Sequence, residues 1–243
     1  MGEQGPRKSA YTAERVAAEI RRAIRHGDLL PGEHVRQTYW SAYVGVSSAP
    51  TREALKMLVS EHLLTYDAHR GYFVTRIDPF EMSQVYQIRR VLEAELLRGI
   101  RWPDEAELQA IRRAMDDVVD HVRRGDGHGA LDAVRRVSFA IFDLSPRNVL
   151  VAETKRFWDR AAVYRALDIA SLEDPDAQDV TTYYKALLGL LETRDGDGLV
   201  ALNSEHRMAK AIAVGGAPAA IPPEGHASRT TSRQIVELTR DDL

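Results

Sequence analysis

A chain of 243 residues, 44% hydrophobic and with a formal charge of −3, has the length for one or two globular domains with cores of their own. It holds no cysteine, which excludes disulfides, thiolate metal sites and cysteine nucleophiles. No stretch approaches the roughly 20 apolar residues of a membrane span, and the opening MGEQGPRKSA lacks the apolar centre of a signal peptide, so a cytoplasmic location with no membrane partner is expected.

The small net charge conceals an asymmetry. Residues 1–77 carry 11 Lys and Arg against 8 Asp and Glu, whereas residues 78–243 carry 22 against 28. A mildly basic first part is expected where only that end meets phosphates. After a flexible start over residues 1–10, residues 12–25 place Val16, Ile20 and Ile24 at steps of four, the pattern of an amphipathic helix ending near Gly27. Residues 39–63, YWSAYVGVSSAPTREALKMLVSEHL, read as two short helices around a glycine turn, the outline of a helix-turn-helix. Gly45 supplies the bend, Val46 an apolar plug and Ser47 an N-cap. From Pro50 onward Leu55, Leu58, Val59 and Leu63 follow a helical period, leaving Thr51, Arg52 and Lys56 on the exposed side. Residues 64–68 and 72–76 are β-prone runs around His69-Arg70-Gly71, a hairpin with a basic tip that would lay Arg70 beside phosphates or in a minor groove. Together these elements make a winged helix. A plainer reading of the same residues is a helical hairpin beside a β-ribbon, with Arg52 a solvated charge.

From Asp78 the pattern is helical almost throughout. Asp78-Pro79 caps a helix over residues 80–98, Pro103 opens a second to residue 124, GDGHG at 125–129 is a loop, and residues 130–144 form a third. Ser145-Pro146 starts a fourth running to about residue 170, SLEDPDAQD is a loop before residues 180–193, and a last helix covers about 198–214. The tail, 216–243, is rich in Pro, Gly and small polar residues and is expected to be flexible. The fold class is therefore mainly α: a winged helix-turn-helix over 11–77 with a small β-hairpin, then an all-α bundle over 78–215.

Residues 11–77 resemble the N-terminal domain of the GntR family of bacterial transcription regulators, through AERVAAEIRRAIRHGDLLPGEHV, VGVSSAPTREALKMLVSEHLL and HRGYFV. Residues 80–215 resemble the all-helical effector domain of the FadR-like subgroup, through YQIRRVLEAELL, FAIFDLSPRNVLV and SEHRMA. The resemblance implies a homodimeric regulator, most simply a repressor, that binds an inverted-repeat operator in double-stranded DNA and answers to a small-molecule effector. The DNA contacts it points to are His34, Ser47, Ser48, Thr51, Arg52, Lys56, Arg70 and Gly71. Two of them depart from the family, since Ser48 and His34 stand where relatives usually carry Arg, and Thr51 replaces a small aliphatic residue. Those departures motivate an alternative: an effector-binding or scaffold protein whose winged helix no longer reads DNA. An enzyme is not expected, for no nucleophile with its base, paired carboxylates or phosphate loop can be found.

Regulators of this subgroup commonly hold a divalent metal through an Asp or Asn four residues before a His, plus a His on each of two later helices. Aligned through FAIFDLS, those positions fall on Val134, Ser138, Tyr184 and His206, so one ligand in four survives and neither metal nor other cofactor is expected. Asp117 and His121, also four apart, read as a solvated acidic face. Without metal the cavity can still take a ligand. Arg89 matches the pocket-facing Arg of relatives and implies a carboxylate partner, with Ser138, Tyr184 and His206 as polar groups and Phe142 and Trp158 as wall. The alternative for Arg89 is an internal ion pair with Glu93, four residues along. The junction at 77–80 is where a change in the bundle would move the reading heads.

Overall fold

The structure, a computed structural model, describes residues 6–169 and 175–215; the expected flexible tail and part of the 171–179 loop lie outside the described residues. Helix α1 (Pro6–His26) starts within the segment expected to be flexible. Pro6 explains the early start, because its fixed φ suits a first helical position and its missing N–H is not needed there. Val16, Ala17, Ile20, Ala23 and Ile24 form its buried stripe, and Gly27, in the left-handed region at φ 77°, ends it.

Helices α2 (Gln37–Val44) and α3 (Ser48–Ser60) form the helix-turn-helix. Gly45 closes α2 at φ 71°, where its N–H reaches back to the Ala42 carbonyl. Helix α3 begins two residues ahead of Pro50, which is tolerated because the first N–H groups of a helix have no partner inside it. Ser47 holds the N-cap position, but its side chain makes no capping bond. Strands β1 (Leu64–Asp67) and β2 (Gly71–Val74) pair antiparallel with Leu64 opposite Val74 and Tyr66 opposite Tyr72. They are shorter than the β-prone runs because the Asp67 carboxylate accepts from the N–H groups of His69 and Arg70, at 2.8 and 3.0 Å, and so turns the chain early. Leu55, Leu58, Leu63, Leu64 and Val74 join the α1 stripe and Trp40 in one core.

The bundle comprises α4 (Pro79–Leu97), α5 (Glu105–Arg123), α6 (Gly127–Phe142), α7 (Asn148–Ile169), α8 (Pro175–Glu192) and α9 (Gly196–Gly215). Asp78, Asp104 and Asp126 cap α4, α5 and α6 with side-chain acceptors. The Asp126 cap, accepting from Gly129 N–H, pulls α6 into the stretch expected as a loop despite its glycines. Helix α8 likewise starts at Pro175 rather than near residue 180. Helix α4 packs on α9 and α7, and α5 on α6 and α8, around a core that includes Leu96, Val118, Val137, Phe142, Trp158 and Leu199. The apolar clusters of winged helix and bundle are separate among the described residues. There too, no helix is long and apolar enough to cross a membrane.

Candidate DNA-reading face and bundle centre

On α3 the residues Ser48, Arg52, Glu53 and Lys56 are exposed. Arg52 makes no ion pair or side-chain hydrogen bond among the described residues, so its guanidinium stands open. Lys56 pairs with Glu53 at 3.0 Å across two exposed side chains, a contact that water easily competes with. Gln37 Nε2 donates to the Ser48 carbonyl at 3.0 Å and ties the start of α2 to the start of α3. Neither of these two helices has a side-chain cap, in contrast to α4, α5 and α6, so their first N–H groups remain available to acceptors from outside.

Thr51 corrects the sequence reading. It is fully buried, receiving a hydrogen bond from the Ser41 hydroxyl at 2.9 Å and donating to the Ser47 carbonyl at 3.3 Å. It therefore ties α2 to α3, and its hydroxyl is turned away from the exposed face of the helix. Thr51→Val, close to isosteric, leaves the Ser41 hydroxyl and Ser47 carbonyl without this partner and should cost about 1 kcal/mol in a urea-denaturation series. A variant as stable as the wild type would show that the hydroxyl chain contributes nothing.

At the wing, His34 stacks on Phe73 with ring centroids 5.0 Å apart, and the Arg70 guanidinium lies 5.0 Å from the same ring's centroid. Gly71 has φ 90°, and a Cβ there would sit 3.0 Å from His34 Nε2. His34, Arg70 and Gly71 thus form one assembly beside the turn of the wing.

The centre of the bundle is polar. Glu93, 0% exposed, accepts three charged or polar donors: Arg89 Nε at 3.0 Å and Trp158 Nε1 at 2.8 Å on one oxygen, Arg207 Nε at 2.6 Å on the other. The Arg89 guanidinium lies 4.1 Å from the Trp158 ring centroid and the Arg207 guanidinium 5.3 Å from it. Burial raises the Glu93 pKa, but Arg207 and Arg89 outweigh it and bring it down to about 2. Arg89 thus forms the internal ion pair with Glu93, with Arg207 as a further partner that the sequence reading did not name.

His206 stacks on Tyr183 at 4.3 Å, and burial, helped by Arg207 and Lys210, brings its pKa down to about 3, so the imidazole is neutral at physiological pH. The Tyr183 hydroxyl donates to Asn203 Oδ1 at 3.4 Å. Ser138, Phe142, Trp158 and Tyr184 are all buried. The amide nitrogen of Asn203 and the Thr154 hydroxyl are buried with no hydrogen-bond partner among the described residues. They sit one helical turn before Arg207 and Trp158.

The metal set does not fit. Val134, Ser138 and Tyr184 offer no imidazole or carboxylate, and among the described residues no three His, Asp or Glu side chains are grouped to hold an ion. Asp117 pairs with Arg136 at 3.9 Å and His121 with Asp126 at 2.8 Å, apart from the centre. Elemental analysis of tag-free protein should find no stoichiometric transition metal. One metal per chain, lost in His206→Ala, would mean that these helices carry ligands the alignment fails to assign.

An exposed helix-turn-helix and wing joined to a helical bundle with a polar centre are the architecture of a winged-helix transcriptional regulator with a second, all-helical domain. Residues 12–74 match the model for bacterial regulatory proteins of the gntR family, and residues 84–209 match the FCD domain. The chain belongs to the GntR family of transcriptional regulators, in its winged-helix-plus-FCD form. It is 24% identical over 203 residues to the HTH-type transcriptional regulator McbR of Escherichia coli (strain K12), covering 80% of this chain and 88% of that one. It is 29% identical over 110 residues to the uncharacterized HTH-type transcriptional regulator YdhC of Bacillus subtilis (strain 168), which is 44% of this chain and about half, 48%, of that protein. The gluconate operon transcriptional repressor of Bacillus licheniformis is 34% identical over 84 residues, 35% of this chain and 34% of its own. Among solved structures, E. coli McbR/YncC superposes with a TM-score of 0.77 at 20% identity, over 84% of this chain and 96% of that one, a likeness of fold.

Proposed function

We infer that the protein is a repressor that binds an inverted-repeat operator as a homodimer and changes its affinity when a carboxylate-bearing metabolite enters the bundle. The observation that carries the DNA reading is the unpaired Arg52 on the exposed face of α3, next to two helix starts that lack side-chain caps. Ser48 and Lys56 flank it for base edges or phosphates, Ser47 offers the backbone start of α3, and Arg70, Gly71 and His34 present the wing. Arg36, exposed at the N-cap of α2, adds a phosphate contact.

Homodimerisation is supported by an exposed apolar stripe on α4, where Ile88 is 40% and Val91 59% exposed. Arg147 bonds to Glu95 and brings Val149, 77% exposed at the start of α7, toward the end of that stripe. The effector reading is supported by the buried, unsatisfied Asn203 amide and Thr154 hydroxyl beside two arginines that share one carboxylate. A ligand carboxylate would compete with Glu93 for Arg207 and Arg89, with Ser138, Tyr184 and His206 orienting its polar remainder against Phe142 and Trp158. The gluconate operon relative is named a repressor, and the same sign is extended to this chain.

Selection of bound fragments from a genomic DNA pool tests the reading. It should enrich an inverted repeat with half-sites about one turn of DNA apart. A thermal-shift screen of organic acids should then find a stabilising compound that alters operator affinity. His34 and Ser48, where relatives usually carry Arg, favour the second reading of a DNA-silent effector protein; a selection that enriches nothing, alongside a stabilising acid, would establish it.

A further inference from the structure

The winged helix and the bundle meet through ions. Near the end of α1, Arg25 lies 3.8 Å from Asp132 of α6 and 4.0 Å from Asp159 of α7, and His26 Nε2 is 2.9 Å from Asp132. Asp159 is also 3.0 Å from Arg135 of α6. One turn back on α1, Arg21 grips both oxygens of Glu61, at the C-cap of α3, at 2.9 and 2.7 Å. Arg21, Arg25, Glu61, Arg135 and Asp159 line a cleft of about 330 Å³ between the two domains.

Asp159 directly follows Trp158, and the two point to different places. Trp158 bonds the Glu93 carboxylate in the bundle centre, whereas Asp159 faces Arg25 and Arg135 at the domain junction. A shift of α7 that follows a change at Glu93 therefore moves the carboxylate that holds α1. Through Arg21 and Glu61, α1 in turn holds the end of the reading helix.

We propose that this ion cluster is the coupling device between the two domains, with Arg25 and Asp159 as the positioning residues that pass the state of the bundle centre to α3. The proposal rests on the reading that the bundle binds an effector and the winged helix binds DNA. The contact is built to be shifted by modest free energies. It has no buried apolar cluster in common between the domains among the described residues, and besides the ions the rings of His26 of α1 and His128 of α6 stack across it at 5.0 Å. Burial raises the Asp159 pKa against the pull of Arg135, Arg25 and Arg21, so desolvation offsets much of the attraction. Two arrangements of nearly equal free energy are what a ligand with modest differential affinity can shift.

A mutant cycle tests it on the full chain. Trp158→Phe keeps an aromatic ring but removes the Nε1 bond to Glu93, and Arg25→Glu repels Asp132 and Asp159. Operator affinity and amide exchange over residues 22–26 are read for each single variant and for the pair. Arg25→Glu should speed exchange in the last turn of α1, and adding Asp132→Arg should return it to the wild-type rate. Trp158→Phe should change operator affinity several-fold in the wild-type background and not in Arg25→Glu. If the two single effects simply multiply, the junction does not couple the domains and the proposal fails. Raising NaCl from about 50 mM to about 500 mM, which screens exposed pairs strongly, gives an arm that needs no change in the bundle. Exchange in the last turn of α1 should rise with salt in the wild type and fall in Arg25→Glu, where salt screens a repulsion instead of an attraction; the same rise in both would also overturn the proposal. If no operator is found, the DNA reading fails, while the exchange measurements still decide whether Trp158 and Arg25 are linked.

Discussion

Glu93→Gln is expected to be the most damaging single substitution in the bundle, lowering stability by about 3–5 kcal/mol in denaturant titrations. The side chain is fully buried and accepts Arg89, Trp158 and Arg207 together. Glutamine keeps the volume but removes the charge and turns one acceptor into a donor facing Arg89 or Arg207. Two guanidinium groups would then share the bundle centre without the carboxylate that now binds both. Glu95→Gln, on exposed pairs with Arg98 and Arg147, is the control and should change little by comparison. The same residue sets an acid limit. Because the Glu93 pKa is depressed from 4.5 to about 2 in the folded chain, its contribution is fully present above pH 4.5 and is lost as pH falls toward 2. The wild type should lose stability through that interval, and Glu93→Gln should show a flatter profile there. A loss no larger than that of Glu95→Gln would mean the three donors do not depend on this carboxylate.

What the sequence can and cannot convey is visible at Thr51, Arg89, Arg207 and His206. Thr51 falls three and four positions before Ala54 and Leu55, so the helical period by itself puts it on the buried stripe. A hydroxyl was read as exposed because its partner, Ser41, lies on another helix, and no local pattern reports that bond. Arg89 and Glu93 stand four apart on one helix, and the ion pair was legible from that spacing alone. Arg207 was not, since its contact with Glu93 spans 114 positions and depends on how α9 packs on α4. The ring that stacks on His206 belongs to Tyr183, next to the aligned Tyr184; neighbouring helix residues differ by about 100° in direction, so a linear pattern does not say which of the two meets it. The winged helix and bundle were readable because local periods and turn residues specify them; the polar centre was not, because it is assembled from three helices.

Arg52→Ala should lower operator affinity by about 1–3 kcal/mol, or roughly 5- to 150-fold, if the guanidinium reads a base edge. The expectation follows from position and freedom together. Arg52 stands on the exposed face of α3, while Thr51 and Ala54 beside it are fully buried and fix the helix on its core. No other described side chain occupies its donors, so none of the DNA contact is offset by a broken internal pair. Lys56, already paired with Glu53, should cost less when replaced by Ala. Gel-shift titrations against the selected operator and against random duplex separate the two ways Arg52 can act. A base contact weakens the operator complex alone and relaxes preference at one position. A phosphate contact weakens both complexes equally and lowers the slope of log affinity against log salt by about one. Unchanged affinity on both duplexes would remove Arg52 from the interface and leave the wing and the starts of α2 and α3 as the DNA-facing surface, with too little side-chain chemistry to specify a sequence.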